Sequence, residues 1–220
     1  MKITNFRLAI GFPCSWPTIP FPFFQSFIHM ERPDFIPIIA TNGPIDGLRN
    51  KIVQHALSIR ASHLIMMDLD QIYPVDTITK LLKHNLPVVG CKVHRRYPPF
   101  DPLMLKGEIN HYQVISEWEP GELVEVDATG TGCLMINMDV FHKLPMPWFR
   151  FRQNPDPDYA SAVGEDVGFC YDLRKIGYKI YVDTSIECGH LSTMVIEDSV
   201  YTLYQLLSLK KKQQEVQNGY

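Results

Sequence analysis

The sequence has little cysteine, and none of it is spaced for a local metal or disulfide site. Its five cysteines lie far apart along the chain and form no CxxC pair: Cys14, Cys91, Cys133, Cys170 and Cys188. An odd number of scattered cysteines argues against a disulfide framework, and the missing CxxC pair argues against a zinc knuckle. We therefore expect a protein of a reducing compartment, namely the cytoplasm, or the host cytoplasm if the protein is viral.

Long apolar runs and a strong net charge are also lacking. No stretch of about 18 apolar residues and no signal peptide is recognisable, so we expect a soluble protein with no integral membrane segment. The formal net charge of −3 gives no general attraction to nucleic acid. The 220 residues, 45% of them hydrophobic and 20% charged, suffice for one domain with a buried core.

Short apolar runs alternate with segments of helical spacing, which is the pattern of a layered α/β fold. The predicted strands are 6–12, 35–41, 63–69, 87–93 and 178–184, with further strands around a glycine-rich turn within 123–138. The predicted helices are 46–59, 75–84, 138–144, 164–177 and 199–217. The stretch FPCSWPTIPFPFF, at 12–24, is expected to be an ordered loop, because proline interrupts helices.

The chain shows no internal repeat and no clear linker between domains. We expect a catalytic domain over residues 1–198, followed by a polar, lysine-rich helix and tail over 199–220. This last helix is expected to pack one face on the domain and to fray at its end.

One predicted strand, in HLIMMDLDQIYP at 63–74, ends in two carboxylates. Residues two apart point to the same side of a strand, so Asp68 and Asp70 share a face if the strand continues through both. Two carboxylates this close stay ionised only beside a cation or by sharing a proton. Because Mg²⁺ and Mn²⁺ prefer oxygen ligands, the pair predicts a divalent metal site. Two solvated acids in a turn are the alternative.

Further motifs surround this pair in a fixed order. LRNKIVQHAL at 48–57 precedes it, DLDQIYPVDTITKLLKHNLPVVGCKVHRR at 68–96 contains it, and GEDVGFCYDLRKIGYKIYVDTSIECGH at 164–190 follows. Together they resemble the GT-A glycosyltransferases, the nucleotide-diphosphosugar transferase fold, in the family 2-like form of phages and archaea. The resemblance covers about residues 5–192. It implies a mostly parallel central sheet flanked by helices, and metal-dependent transfer of a sugar from a nucleotide-diphosphosugar.

The resemblance also implies roles for the acidic residues. Asp68 and Asp70 would hold Mn²⁺ or Mg²⁺, and His190 would complete the coordination, because imidazole suits such ions. Asp166 is expected to be the general base of an inverting displacement, with Glu165 orienting the acceptor. The alternative is that Glu165 and Asp166 only stabilise the start of a helix, where carboxylates are favoured.

The same resemblance implies a donor site and an acceptor site. Arg49 is expected to pair with phosphate or to contact the nucleobase, with a plain surface arginine as the alternative. Lys92, Arg95 and Arg96 are expected to bind diphosphate or an anionic acceptor. The donor site further includes Pro13, Cys14, Ser15, Asn50, Asp68 and Leu69, and the sugar and acceptor site includes Gly130, Thr131, Gly132, Gly164 and Glu165. A UDP-sugar is the favoured donor, and the acceptor is open between a glycan, a protein, a small molecule and a modified nucleic-acid base.

Two other functions stay open from the sequence. A phosphatase of the haloacid dehalogenase type also places DxD after an apolar strand, with the first aspartate as nucleophile. That arrangement normally lies near the amino terminus, whereas two predicted strands and a helix precede Asp68 here. The other alternative is a sugar-nucleotide or glycan-binding module without turnover.

Overall fold

The computed structural model describes residues 6–15, 17–154 and 162–217. The longer strands are β1 (Leu8–Cys14), β2 (Phe35–Thr41), β3 (His63–Met67), β5 (Val88–Val93), β8 (Leu123–Val126), β10 (Cys133–Asn137) and β11 (Ile180–His190). Short strands are β4 (Gln71–Ile72), β6 (Met104–Lys106), β7 (Gln113–Val114) and β9 (Ala128–Thr129). The helices are α1 (Phe21–Ile28), α2 (Ile45–Ser58), α3 (Thr77–His84), α4 (Asp139–Lys143), α5 (Glu165–Lys175) and α6 (Asp198–Gln217).

The described residues form an eight-stranded central sheet in the order β2-β1-β3-β10-β5-β11-β4, with β8 pairing with β11. β1 is parallel to β2 and β3, and β11 is parallel to β5. β10 lies antiparallel between β3 and β5, so these two neighbours run the same way. Five strands therefore share one direction, and the predicted mostly parallel sheet is confirmed. A small second sheet has the order β7-β6-β9.

Helices cover both faces of the central sheet, as the continuous apolar runs of its inner strands require. On one face α2, α4 and α5 pack in a core that includes Leu64, Ile136 and Phe169. On the other face α1 and α3 pack over a second core that includes Ile65, Val89 and Met135. Neighbouring residues of one strand thus supply opposite cores, and the predicted α/β layers are confirmed.

Most predicted elements lie within a few residues of the observed ones, but the Phe- and Pro-rich stretch is an exception. The predicted loop at 12–24 is wrong in its last part, because α1 begins at Phe21. Pro22 is tolerated there since it falls in the first turn of the helix, where the backbone N–H has no helical partner. Phe23 is buried and packs edge-on against Phe12 and Tyr73.

The end of β3 differs from the prediction in a way that bears on the two aspartates. The strand was predicted to continue to residue 69, but it ends at Met67, and Asp68 to Asp70 lie in a turn before β4. The strand argument for a shared face therefore fails for Asp68 and Asp70. The last strand, β11, is longer than predicted and extends to His190.

The carboxy-terminal helix also differs from its prediction. α6 was expected to bury one face, yet the side chains from Tyr201 to Leu207 are all exposed. Exposed leucines include Leu203, at 52%, and Leu206, at 55%. The predicted fraying falls partly on residues 218–220, which lie outside the described residues. None of the described helices combines the length and the apolar character that crossing a lipid bilayer requires.

Candidate active site at the carboxyl edge of the sheet

A pocket of about 1280 Å³ lies at the edge of the sheet where β1, β3, β5 and β11 end. In open α/β sheets this edge is where ligands bind. The chain that follows β3 forms one wall of the pocket, and the starts of α2 and α5 form another. The turn before β10 and the segment after β11 complete the lining.

Arg49 connects two acidic motifs that are far apart in the sequence. Its Nη2 lies 3.1 Å from both carboxylate oxygens of Asp68, and its Nε donates to Glu165 Oε1 at 3.1 Å. The residue is 3% exposed. Burial disfavours its charge, but the two carboxylates outweigh that cost and hold the pKa of Arg49 above its ordinary value. Arg49 therefore fixes Asp68 and Glu165 relative to each other.

Asp70 faces a different pair of side chains. Arg96 Nη1 donates to Asp70 Oδ2 at 2.7 Å, and His190 Nε2 lies 3.5 Å from the same oxygen. Burial acts to raise the pKa of Asp70, but His190 and Arg96 together hold it below its ordinary value. Burial likewise acts to lower the pKa of His190, and the interactions with Asp70 and the carbonyl of His94 raise it instead. Each of the two side chains thus favours the charged form of the other.

The surroundings of Asp166 disfavour its charge. Burial and the neighbouring charge of Glu165 raise the pKa of Asp166 to about 6, against an ordinary value of 3.8, although the N–H of Val167 donates to Oδ1 at 2.7 Å. The side chain lines the pocket at the start of α5. A carboxylate that titrates near neutral pH in a cleft is suited to accept a proton.

Close packing of backbone and polar side chains holds Asp68 in place. A Cβ on Gly132 would lie 2.8 Å from Asp68 Oδ2 and would overlap the amide of Gln71. The hydroxyl of Tyr73 donates to the carbonyls of Asp68 and Gly132, at 2.7 and 2.8 Å. Any larger residue at position 132 would therefore displace the side chains of Gln71 and Asp68.

Four polar side chains of this pocket carry a buried atom without a hydrogen-bond partner, although Asp68 Oδ1 lies 3.1 Å from Arg49 Nη2. These atoms are Arg49 Nη1, Asp68 Oδ1, Gln71 Oε1 and Thr131 Oγ1. A buried polar group left unpaired costs about 1–3 kcal/mol, and such groups are rare in folded proteins. All four atoms belong to residues that line the pocket, although the atoms themselves are buried behind its surface.

The structure brings most of the predicted site residues to this pocket. Those that line it are Pro13, Ser15, Arg49, Asp68, Leu69, Asp70, Arg96, Gly130, Thr131, Gly132, Glu165, Asp166 and His190. Asp68 and Asp70 both do so, although they lie in a turn and face different partners.

Five predicted residues do not line the pocket. Asn50 bonds to backbone groups of Trp148 and Phe149 and so ties α2 to that segment. Lys92 pairs with Glu187 at 3.0 Å, and Arg95 is exposed. Cys14 and Gly164 flank the pocket residues Ser15 and Glu165 without lining it themselves.

Sequence reasoning missed Gln71, Tyr73 and the segment from Leu191 to Leu203, part of which lines the pocket. Gln71 carried a weak signal, because it directly follows the DxD pair. Tyr73 acts through backbone carbonyls, and the segment after His190 has no motif, so the sequence offered no signal for them.

The donor set around Asp70 fits a divalent ion in part. The 3.5 Å between Asp70 Oδ2 and His190 Nε2 is close to the spacing of two ligand atoms that each lie about 2.1 Å from one ion. Asp68 Oδ1 would be a third donor atom from the same pocket, and it accepts no hydrogen bond. Within the described residues the donor atoms of these three side chains are not all within 4.8 Å of one another. Coordination by all three therefore requires at least one of these side chains to move.

Comparison with known proteins identifies the fold. No family model matches the sequence, and no curated protein matches it in sequence. The solved structure of A197 from STIV is similar over 84% of this chain and 85% of its own, with a TM-score of 0.59 and 17% identity. That of GalNAc-T7 with UDP, GalNAc and Mn²⁺ is similar over 88% of this chain, with a TM-score of 0.57 and 11% identity. This chain spans 45% of the GalNAc-T7 chain.

At these identities the likeness establishes the fold. The chain has a GT-A-like glycosyltransferase fold, as its sequence motifs predicted. The haloacid dehalogenase alternative depended on another fold and finds no support in the structure.

Proposed function

We propose that this protein is a metal-dependent glycosyltransferase that moves a sugar from a nucleotide-diphosphosugar to an acceptor hydroxyl. The observation that carries the proposal is the convergence of Asp68, Asp70, Glu165, Asp166 and His190 on the ligand-binding edge of a GT-A-like sheet. A nucleotide-sugar has hydroxyl groups that can donate to such carboxylates and a diphosphate that can accept from a cationic side chain. UDP is the favoured nucleotide, because the similar GalNAc-T7 structure was solved with UDP.

Asp70 and His190 are the proposed core of the metal site, with Asp68 as the third ligand. Mn²⁺ and Mg²⁺ are the expected ions, since the donors are two carboxylates and one imidazole. When bound, the ion would neutralise the diphosphate charge that develops as the sugar leaves. Arg96 is 2.7 Å from Asp70 and supplies a further positive charge on the same side of the pocket.

The protein's own residues would direct the donor and the acceptor. Pro13 and Ser15, at the end of β1, are the proposed contacts of the nucleotide. Gly130 and Gly132 lie on either side of Thr131 and would let the backbone approach the sugar. Arg49 holds Asp68 and Glu165, so it would act as a positioning residue between the donor side and the acceptor side.

Asp166 is the proposed general base. Its carboxylate would take the proton of the acceptor hydroxyl as that oxygen forms a bond to the anomeric carbon. The bond from this carbon to the diphosphate breaks at the same time, and its electron pair leaves with the nucleoside diphosphate. Direct displacement of this kind inverts the anomeric configuration. The raised pKa of Asp166, about 6, supports the assignment, because proton transfer is efficient when the pKa is near the working pH.

The acceptor is proposed only by class, as a hydroxyl of a glycan, a protein, a small molecule or a modified nucleic-acid base. Glu165 stands beside Asp166 at the start of α5 and lines the pocket, where it would orient that hydroxyl. Water can take the place of an absent acceptor, so slow hydrolysis of the correct donor is expected without it.

The decisive experiment is a donor screen. The protein is incubated with Mn²⁺ and a panel of UDP-, GDP- and dTDP-sugars, and released nucleoside diphosphate is measured. We expect release from one donor class, loss of release with EDTA, and no action on p-nitrophenyl phosphate. Binding of a nucleotide-sugar without any release would instead identify a binding module. Rapid release of inorganic phosphate from p-nitrophenyl phosphate would refute the proposal in favour of a phosphatase.

A further inference from the structure

Three of the scattered cysteines come together inside the fold. Cys91 lies on β5, Cys133 on β10 and Cys188 on β11, and these three strands are adjacent in the sheet. Their sulfur atoms all lie within 4.8 Å of one another, and each residue is 2% exposed. We call these residues the three-cysteine cluster. The sequence had argued against a thiol metal site because its cysteines are far apart, and strand pairing removes that argument.

Strand register explains why the thiols meet. Leu134 pairs with Gly90 in the antiparallel ladder of β10 and β5, so Cys133 and Cys91 fall next to each other at its end. Cys188 pairs with Val93 on the other side of β5, beyond an irregularity in β11 between Asp183 and Glu187. This irregularity shifts the register of β11, so that Cys188 points to the same core as the other two.

The sulfur spacing is unusual for thiols that only fill a core. Cys91 Sγ and Cys133 Sγ are 2.8 Å apart, longer than the disulfide bond of about 2.05 Å and shorter than an ordinary contact between two sulfurs. Cys170 provides a contrast, since it is equally buried, lies in the other core and bonds to the carbonyl of Thr129. Apolar packing explains Cys170, but it does not explain three sulfurs converging on one point.

We propose that the three-cysteine cluster binds one soft metal ion, preferably Cu(I), as a structural site beneath the active-site pocket. An ion about 2.3 Å from three sulfurs in a plane spaces them about 4 Å apart. The three sulfurs lie within 4.8 Å of one another, and the Cys91–Cys133 pair, now 2.8 Å apart, would open by about 1 Å to admit the ion. Thiolate ligands select Cu(I) or Zn²⁺ over hard ions. Structural Zn²⁺ almost always takes four ligands, and among the described residues the cluster has three, which favours Cu(I). Binding forms three sulfur–metal bonds and releases the thiol protons to solvent.

The three-cysteine cluster has other ligands than the proposed metal site at Asp70 and His190, but it lies on strands that also carry residues of the pocket. Cys133 directly follows Gly132, whose carbonyl accepts from Tyr73 and from the N–H of Asp68. Cys188 lies two residues before His190 on the same strand. An ion in the cluster would therefore tie β10, β5 and β11 together directly under the residues that line the pocket.

The test measures metal content in the full-length protein. The chain is produced in copper-supplemented medium, purified anaerobically with reductant and freed of loosely bound metal with a chelator. We expect about one copper ion per chain, and X-ray absorption is expected to show sulfur ligands only. Cys91→Ser, Cys133→Ser and Cys188→Ser are each expected to lose the ion, while Cys170→Ser keeps it. Asp70→Ala is also expected to keep it, which separates this site from the proposed donor site.

Several results would overturn the assignment. Wild-type protein that folds without stoichiometric copper has a core of free thiols and no metal site. A mass about 2 Da lower under non-reducing conditions, lost in Cys91→Ser and Cys133→Ser, would show a disulfide instead. Copper retained by all three cluster variants, or lost equally from Cys170→Ser, would place the ion elsewhere. If a cluster variant does not fold, the copper content and the X-ray absorption of the wild-type protein still decide whether the site exists.

Discussion

Replacing Asp166 by asparagine is expected to stabilise the protein and to inactivate it at the same time. Burial and the charge of Glu165 raise the pKa of Asp166 from 3.8 to about 6. At pH 7 the folded protein therefore holds an ionised carboxylate that its surroundings disfavour. Asparagine has the same shape and keeps the oxygen that accepts from Val167 N–H, but it carries no charge.

The sign and size of the stability change follow from the pKa. The folded chain binds the Asp166 proton more tightly than the unfolded chain does, so this group contributes stability that is fully present below about pH 4 and is lost as the pH rises through about 6. A shift of about two pKa units corresponds to roughly 3 kcal/mol, and partial access of solvent to the carboxylate reduces it. We expect Asp166→Asn to raise the free energy of unfolding at pH 7 by about 1–3 kcal/mol. The gain should vanish near pH 4.

Glu165→Gln is the matched control, because it makes the same change at the adjacent carboxylate. Glu165 pairs with the buried Arg49 at 3.1 Å, so its neutralisation weakens an ion pair and is expected to destabilise the protein. Urea unfolding at pH 4 and pH 7 measures both variants. Adjacent carboxylates are thus expected to give stability changes of opposite sign.

Activity provides the second half of the test. If Asp166 is the general base, Asp166→Asn is expected to slow donor turnover by about 10²–10⁴-fold, with nucleotide affinity within a few-fold of wild type. The wild-type rate should fall as the pH drops below about 6, because protonated Asp166 cannot accept a proton. A variant that is less stable than wild type at pH 7 would refute the electrostatic reasoning. Normal turnover by a folded Asp166→Asn would remove Asp166 as the base.

Two further substitutions test the contacts that hold Asp68 and Glu165 in place at the pocket. Arg49→Met leaves Asp68 and Glu165 without their buried partner, and we expect a loss of about 3–5 kcal/mol in urea unfolding. Arg174→Met, which removes an arginine from two more exposed ion pairs, is expected to cost about 1 kcal/mol, and equal losses would contradict the account. Gly132→Ala places a Cβ 2.8 Å from Asp68 Oδ2, so we expect at least about tenfold weaker nucleotide binding by calorimetry, with a stability loss of about 1–3 kcal/mol. Gly47→Ala meets only ordinary contacts in α2 and should bind normally, and unaltered binding by Gly132→Ala would contradict the proposed donor position.

The sequence pattern predicted correctly those helices and strands whose apolar residues recur at a regular spacing. Strand β2 and helix α2 were predicted nearly to the residue, because an apolar run and a helical apolar period are properties of the segment itself. Helix α1 was missed because its proline lies in the first turn, where proline is tolerated, and because its phenylalanines were taken as part of a loop. The exposure of α6 was also not predictable, since it depends on whether another surface covers the helix.

The features that the sequence did not predict depend on pairing between strands that are far apart along the chain. The antiparallel insertion of β10 between β3 and β5 has no local signal, yet it brings Cys133 beside Cys91 and Gly132 beside Asp68. Motif order correctly placed Asp70, Asp166 and His190 near one pocket. It did not reveal that Arg49 is buried between Asp68 and Glu165, because an arginine on an amphipathic helix is usually exposed.

Calorimetric titration of UDP into the protein, with Mn²⁺ and then with EDTA, tests the central claim most directly. The account predicts binding with Mn²⁺ and binding at least about tenfold weaker with EDTA or in Asp70→Ala. Asp34→Ala, which removes an exposed aspartate outside the pocket, should bind like wild type. Binding that is unchanged by EDTA and by Asp70→Ala would contradict the metal-dependent donor site, and so would the absence of binding by wild-type protein to UDP and to every other nucleoside diphosphate.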